Sequence, residues 1–414
     1  MPREHIVVGL DIGTEFIRTT IGQLTAEEPH PSIIGVGVAP ASGLRRGNVV
    51  DVEETVKSIA ASVEEAERTS GVSVGSAYVN ISGGHIESQN SRGVVAVSRA
   101  DSEIGSEDVS RAVEAAKAVA VPSNKDIIHV IPREYIVDGQ EGIKDPIGMS
   151  GIRLEVETHI ITAATPQIKN LRKCVYQAGI ELEDLVLSGL AAAQGVLGKR
   201  QKELGVAILD IGAGVSDLVV FEEGDVFASS VLPVGGSHVT NDLAIGLKTD
   251  TDIAERVKLE YGHARPGDIK GKETIDLGEL TQGDEENKVA KKLIAEIVEA
   301  RMTELLGLAK KQLKSMDRDG KLPAGVVLTG GGAKLPGVVD LAKEQLGLPA
   351  QVGFPSDLKG MIDKVDDPSF ATSIGLMLWG LDNNLQLRTT NRFGSLPGVQ
   401  YLDSVKSVVK RFLP

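Results

Sequence analysis

Hydrophobic positions along the chain fall into two patterns: short unbroken apolar runs that stop at glycine turns, and longer segments whose apolar residues return every three or four positions. The first short run, Ile6-Val-Val-Gly-Leu-Asp-Ile-Gly-Thr, ends on Asp11, Gly13 and Thr14 and is followed by the strand-like Ile17 to Leu24. A second, Val206-Ala-Ile-Leu-Asp-Ile-Gly-Ala-Gly, ends on Asp210, Gly212, Ala213 and Gly214, then gives way to Leu218-Val-Val-Phe and the turn Glu223-Gly224-Asp225. Each predicts a strand, a tight turn and a second strand. The shared Leu-Asp-Ile-Gly places Asp11 and Asp210 199 positions apart (210 minus 11), nearly half the chain. One structural unit is therefore expected twice.

A third run, Ala324-Gly-Val-Val-Leu-Thr-Gly-Gly-Gly-Ala-Lys-Leu-Pro-Gly, reads as a buried strand opening through Gly330, Gly331 and Gly332 into a helix with Pro336 near its first turn. That helix is expected to carry Val338, Val339, Ala342 and Leu346 and to stop at Gly347. Another starts at Pro166, with Ile168, Leu171, Val175 and Ala178 on one face, Cys174 among them, and Gly179 as its stop. Strands alternating with such helices predict α/β layers. Residues 85 to 162 read as a β-α-β-β module, its helix starting at Ser106 with Glu107 and Asp108 in the first turn. Residues 247 to 324 interrupt the second unit with a short helix around Ile253 to Tyr261, polar strands and a long helix from about Asp284 to Met316. In that long helix the apolar Val289, Leu293 and Ile297 recur at i, i+4. After a helix bearing Phe370, Ile374, Leu378 and Leu381, residues 386 to 400 read as a linker.

The chain has 414 residues, which at roughly 150 per domain predicts two to three domains. Hydrophobic residues make up 41% and charged residues 25%, an ordinary globular balance, and no run of 18 apolar residues occurs to span a bilayer. With 44 basic and 58 acidic residues the net charge is -14, which repels phosphate backbones and argues against nucleic acid as a partner. A single cysteine forms no internal disulfide, and the opening Met-Pro-Arg-Glu-His-Ile lacks the apolar core of a secretory signal. A reducing, cytoplasmic setting is expected. Glycine is the outlier: 47 of 414 residues, about 11% against a typical ~7%, clustered at strand ends where backbone approaches a ligand. The seven histidines form no i, i+4 pair, which speaks against structural zinc, and His159 in an apolar strand reads as a satisfied core residue.

Backbone amides of a tight glycine turn bind phosphate without a lysine cradle. Two Asp-Ile-Gly turns facing each other thus predict a clamp for a nucleoside triphosphate, with Gly13, Thr14, Gly212, Ala213 and Gly214 around the phosphates. Asp11 and Asp210, each at a strand end, are expected to hold Mg²⁺ through its waters, because Mg²⁺ keeps its hydration and takes one or two carboxylates plus phosphate oxygens. The rival reading of each turn is a plain hairpin. Gly330, Gly331 and Gly332 fit backbone lying flat against a purine, or a turn and nothing more. Glu255 and Lys258, three apart on one helical face, fit either ribose hydroxyls or an exposed ion pair. No residue stands out as firmly catalytic.

Together the two Asp-Ile-Gly turns, the Thr329-Gly-Gly-Gly332 strand end and Ala254-Glu-Arg-Val-Lys-Leu-Glu-Tyr-Gly262 resemble the actin and heat-shock chaperone ATPase superfamily. Within it, Pro233-Val-Gly-Gly-Ser-His-Val-Thr-Asn-Asp242, Ile147-Gly-Met-Ser-Gly-Ile-Arg-Leu-Glu155 and the β-α-β-β insertion are similar to the FtsA family of bacterial cell-division proteins, over residues 5 to 385. The resemblance implies an α/β, actin-like (ribonuclease H-like, duplicated) fold of two lobes and four subdomains. These are 1A (1–84 and 163–203), the inserted 1C (85–162), 2A (204–246 and 325–385) and 2B (247–324). It also implies a protein that binds ATP and Mg, self-associates into filaments at the cytoplasmic face of the cell membrane, and holds the C-terminal peptide of the tubulin-like FtsZ through 2B. Other division proteins are implied to dock on 1C. One departure bears on turnover: where the bacterial actin MreB carries a water-positioning glutamate, this chain has Ser188, which orients and deprotonates water less well. Tight nucleotide binding with slow hydrolysis is expected.

Residues 401 to 414 place Leu402, Val405, Val408, Val409, Phe412 and Leu413 on one helical face, with Lys406, Lys410 and Arg411 beside them. That pattern suits the headgroup layer of anionic membrane lipids. One such helix holds weakly, and a filament displaying many holds through avidity. A helix docked on the protein's own surface is the other reading. In the long helix of 2B, the resemblance matches Arg301 and Glu304 to the family's Arg-x-x-Glu, where Arg301 can grip a carboxylate of FtsZ bidentately, although any exposed helix is rich in both residues. Two other readings use the same fold: a pilus-assembly adaptor like PilM, and a sugar-type kinase.

Overall fold

The computed structural model describes residues 5–25, 30–98, 101–118, 121–281 and 287–391, so the segment 401–414 lies outside the described residues. Two twisted sheets carry the molecule. The first has six strands in the order Glu181–Leu187, Ser76–Ile81, His5–Ile12, Phe16–Leu24, Ser32–Pro40 and Lys359–Gly360. The second runs Asp225–Leu232, Ser216–Glu222, Val206–Ile211, Val326–Thr329 and Ala350–Val352. In both, the opening strand pairs antiparallel with its hairpin partner and parallel with a crossover strand. Asp11 faces Arg18 and Gly9 faces Tyr78 in one sheet; Asp210 faces Asp217 and Thr329 in the other. The unit expected twice from the repeated Leu-Asp-Ile-Gly is present twice, with the same strand order. Helices cover both faces, which is why the opening strand of the second unit is buried at every residue, Val206 to Ile211.

The helix Ala371–Asn391 crosses the first sheet and packs on the short helix Ser188–Val196. Residues 386 to 391, expected to begin a linker, continue this helix. Among the described residues no helix is long and apolar enough to cross a membrane.

The insertion forms a four-stranded antiparallel sheet, ordered Glu87–Ala96, Arg153–Ala164, Lys125–Val137 and Gln140–Ile143, one strand more than expected. Helix Ser106–Lys117 lies on one face over a separate core that includes Ile104, Val109, Val113, Leu154 and Val156. The other face meets the edge strand of the second sheet. There Ser88 Oγ donates to the Ser229 carbonyl (2.6 Å), and the His159 ring is held between Asn90 Oδ1 (2.7 Å) and Ser229 Oγ (2.8 Å). The Phe227 ring lies under the guanidinium groups of both Arg133 (4.4 Å) and Arg318 (4.0 Å). His159 is thus buried and satisfied, and burial, helped by Arg133, pushes its pKa down to about 3.

Two local expectations are corrected. The long helix spans Lys291–Ser315, because Lys288–Ala290 is drawn into a strand against Thr274–Asp276. Its buried stripe is Ile294, Val298, Met302, Leu305, Ala309 and Leu313, whereas Leu293 is 43% exposed. Val289 belongs to the strand, so counting from it sets the wrong phase. After Gly330 the chain makes a 3-10 turn, Gly331–Lys334, and the α-helix Val338–Leu346 begins only beyond Pro336 and Gly337, the latter at φ 79°.

Candidate functional site

Both Asp-Ile-Gly turns are closed by the same bond: Gly13 N donates to Phe16 O, and Gly212 N to Val215 O, each at 3.1 Å. The second turn is braced by the start of helix Gly236–Leu247, where Gly236 N donates to Gly212 O (2.9 Å) and Ser237 N to Ala213 O (2.9 Å). The two turns come together across the lobes. A Cβ on Gly214 would stand 2.7 Å from Thr14 Oγ1 and 2.8 Å from Arg46 Cα, so only glycine fits there. Thr14 Oγ1 itself accepts from Gly47 N (3.1 Å).

Between them lies a cavity of about 410 Å³. Every residue that the sequence assigned to nucleotide or metal lines it: Asp11, Gly13 and Thr14 from one unit, Asp210, Gly212, Ala213 and Gly214 from the other, with Glu255, Lys258 and Gly330 to Gly332. Gly330 holds φ 78°, and a Cβ there would reach 2.2 Å from Asp210 Oδ1, so the glycine strand end packs directly on the second hairpin. Glu255 and Lys258 do form an ion pair (2.6 Å), but at the cavity wall and only partly exposed, tied together by Thr240, whose Oγ1 donates to Glu255 (2.5 Å) and accepts from Lys258 (3.0 Å).

Three carboxylates share the floor. Asp11 is buried, and this raises its pKa to about 7 against the pull of Arg18, with repulsion from Asp210 adding to it. Asp210 is raised to about 6 by burial, opposed by Thr372 Oγ1, which donates to it at 2.9 Å, and by Arg18. Asp217 rises well above the carboxylate range through burial and the nearby Asp210. Ionising all three in a buried site with Arg18 as counter-charge is costly, and a hydrated divalent cation would supply the charge that their ionised forms need. Among the described residues no three His, Cys, Asp or Glu side chains converge as direct ligands. The donor set therefore fits an ion held by one or two carboxylates and otherwise by water and phosphate.

Sequence reasoning missed Asn80, Ser82 and Asp217. Asn80 Nδ2 donates to Asp11 Oδ1 (2.8 Å) and to Ser188 Oγ (3.1 Å), while its Oδ1 accepts from Ile12 N (2.6 Å). Ser188 is thereby fixed at the cavity wall. Ser82 Oγ lies 2.9 and 2.7 Å from the two oxygens of Asp217, a hydrogen bond from the first lobe to the second. Arg301 and Glu304 are not at this cavity. Arg301 pairs bidentately with Asp242 (Nε 2.6 Å, Nη2 2.8 Å) and also with Glu304 (2.5 Å), so its fork is already engaged within the chain.

The family model described as "SHS2 domain inserted in FTSA" matches residues 83–162, and the one described as "Cell division protein FtsA" matches residues 207–375. Cell division protein FtsA of Pseudomonas aeruginosa is 40% identical over 377 residues, covering 91% of this chain and 89% of the relative. That of Bacillus subtilis is 40% identical over 383 residues, covering 92% and 85%, and that of Escherichia coli K12 is 34% identical, covering 92% and 91%. Among solved structures, the PilM–PilN type IV pilus biogenesis complex aligns with TM-score 0.66 at 18% identity over 91% of this chain and 98% of that one. MreB5 of Spiroplasma citri bound to AMPPNP aligns with TM-score 0.54 at 15% identity over 94% and 100%. Both likenesses speak for an actin-like fold of two lobes.

Proposed function

The chain belongs to the FtsA family of cell-division proteins, and from that membership we propose that it is an ATP-binding, actin-like protein that polymerises at the inner face of the cytoplasmic membrane and anchors the FtsZ ring. The observation that carries the nucleotide part is the convergence of two glycine hairpins and their aspartates, Asp11 and Asp210, on one cavity. The turn amides that the hairpin bonds leave over, those of Thr14, Ala213 and Gly214, cradle the phosphates between Gly13 and Gly212, Glu255 and Lys258 face the ribose, and the Gly330 to Gly332 backbone faces the purine. Mg²⁺, when bound, supplies positive charge to Asp11 and Asp210 and to the phosphates. Ser188, held by Asn80, is a weak water-positioning group, so phosphate release slower than that of MreB is expected.

The amphipathic residues 401–414 attach assembled protein to anionic lipid, and subdomain 2B receives FtsZ. Calorimetric titration of the full chain with ATP and Mg²⁺, followed by co-sedimentation with anionic vesicles and FtsZ, tests the reading. Saturable ATP binding is expected, together with vesicle pelleting that disappears when residues 399–414 are deleted while ATP binding persists. Absence of ATP binding at millimolar nucleotide, or pelleting indifferent to the deletion, overturns it.

A further inference from the structure

A second and larger concavity, about 1150 Å³, opens at the base of the first lobe, away from the nucleotide cavity. Its walls are the start of strand Lys125–Val137, the helix Thr165–Gln177 and the strand Glu181–Leu187, which is an edge of the first sheet. Ile127, Ile128, Ile168 and Leu182 give it apolar lining, and Tyr176 stands on its lip 80% exposed. Asp126, Glu181, Glu183 and Asp184 make one side acidic; Lys169 and Arg172 stand on the helical side.

The last described helix leads to this place. Helix Ala371–Asn391 starts at the cleft, where Thr372 bonds Asp210, and by Trp379 it has reached the groove wall, where Trp379 Nε1 donates to Asp184 Oδ2 (3.2 Å). Asn391 is twelve residues further on, about 18 Å along a helix. The nine residues 392–400 extend at most about 30 Å, enough to fold back to the groove. The tail beyond them is chemically complementary to the groove: Leu402, Val405, Val409 and Phe412 for the apolar lining, Lys406, Lys410 and Arg411 for the acidic side, and Asp403 for Lys169 or Arg172.

We propose that this groove is the intramolecular seat of residues 401–414, so that the tail is either docked on its own first lobe or inserted in lipid. The proposal rests on the reading of the tail as lipid-seeking and adds a competitor for it. A tail docked nine-tenths of the time lowers apparent lipid affinity about tenfold. A lone molecule is thereby held off the membrane, and an assembly with many tails overcomes the docking.

The test uses the full chain carrying Tyr176→Cys and Ser407→Cys, dilute and without nucleotide, treated with a short bismaleimide. Chains with one substitution control for the buried native Cys174. A 176-to-407 linkage within monomers is expected by peptide mass spectrometry, and Glu181→Gln with Glu183→Gln should weaken docking about fivefold, the worth of two exposed ion pairs, so that a tail docked nine-tenths of the time is docked about two-thirds of the time and the linkage yield falls in that proportion. In flotation with anionic vesicles, the same two glutamine substitutions in the otherwise native chain should raise apparent lipid affinity about three- to fourfold, as the free fraction of the tail rises from about one-tenth to about one-third. Linkage no greater than in the single-cysteine controls, or linkage only between two chains, overturns the proposal, as does vesicle binding that the glutamine substitutions leave unchanged while the native chain binds. Linkage in a chain that binds no vesicles at all supports the docking and sinks the lipid reading instead.

Discussion

Asp11→Asn should stabilise the ligand-free protein while weakening its hold on Mg–ATP, a combination expected of a buried charge kept for a ligand. Burial, with repulsion from Asp210, raises the Asp11 pKa from its ordinary 3.8 to about 7. At about 1.36 kcal/mol per pH unit, that gap corresponds to roughly 4 kcal/mol. The sign follows from proton linkage. A carboxyl whose pKa is higher in the folded chain binds its proton more tightly there, so stability falls as pH rises from about 4 to about 7 and the whole penalty is present above pH 7. Asparagine cannot ionise, and its remaining oxygen can still accept from Asn80 Nδ2, now at 2.8 Å. The gain is therefore largest at pH 8, at most about 4 kcal/mol, and less than half of that at pH 5. Urea unfolding at both pH values in EDTA reads the stability, and calorimetry with Mg²⁺ and ATP reads the binding, where loss of one charged contact costs about tenfold or more. An asparagine variant that is less stable at pH 8, that shows the same difference at both pH values, or that binds Mg–ATP unchanged would refute the assignment of Asp11.

Three further substitutions probe other parts of the same design. Gly330→Ala puts a Cβ 2.2 Å from Asp210 Oδ1 at φ 78°, so a loss of about 1–3 kcal/mol in stability and a collapse of ATP affinity are expected; unchanged melting and binding would contradict the packing. Phe227→Ala removes the ring shared by Arg133 and Arg318, each contact worth about 0.5–1 kcal/mol, and should speed hydrogen exchange in residues 85–162 without altering ATP binding. Arg301→Glu faces Asp242 with a like charge where a bidentate pair stood, so weaker FtsZ-peptide binding should come with lower stability. Arg301→Lys retains the charge and should restore most of the stability; if it also restores peptide binding, the residue acts through Asp242 rather than by gripping the peptide.

The architecture was legible where local pattern and tertiary demand agree. Strand, turn and strand at Asp11 and Asp210 need only an apolar run and a glycine stop, and the duplication needs only that the run recur. Legibility failed where a distant partner decides. Lys288–Ala290 has the residues of a helix start, yet pairing with Thr274–Asp276 makes it a strand and shifts the helical phase by five positions, from Val289 to Ile294. Similarly, the fold alone does not separate this chain from PilM, whose complex aligns at TM-score 0.66 with 18% identity, whereas 40% identity to FtsA of Pseudomonas aeruginosa over 91% of the chain does.

The missed site residues show how a duplicated backbone acquires unequal chemistry. Seven positions after Asp11 stands Arg18, and seven after Asp210 stands Asp217; each faces its own aspartate across the hairpin. The two hairpins are thus equivalent in register but opposite in charge. In the first, Arg18 pulls the Asp11 pKa down, and its guanidinium stacks over Phe16 and Phe370 at 5.3 and 5.5 Å. In the second, Asp217 adds an acid whose bond to Ser82 crosses to the other lobe. Aligning the second strands as well as the first would have exposed the Arg18–Asp217 contrast. Ser82 would still have been hidden, because 135 residues separate it from Asp217 and only the closing of the cleft brings them together. An equal pair of hairpins would leave the floor either overcharged with acid or neutral. This unequal pair leaves three acids, Asp11, Asp210 and Asp217, against the single Arg18, a set that burial keeps partly protonated and whose ionised form a divalent cation is suited to offset.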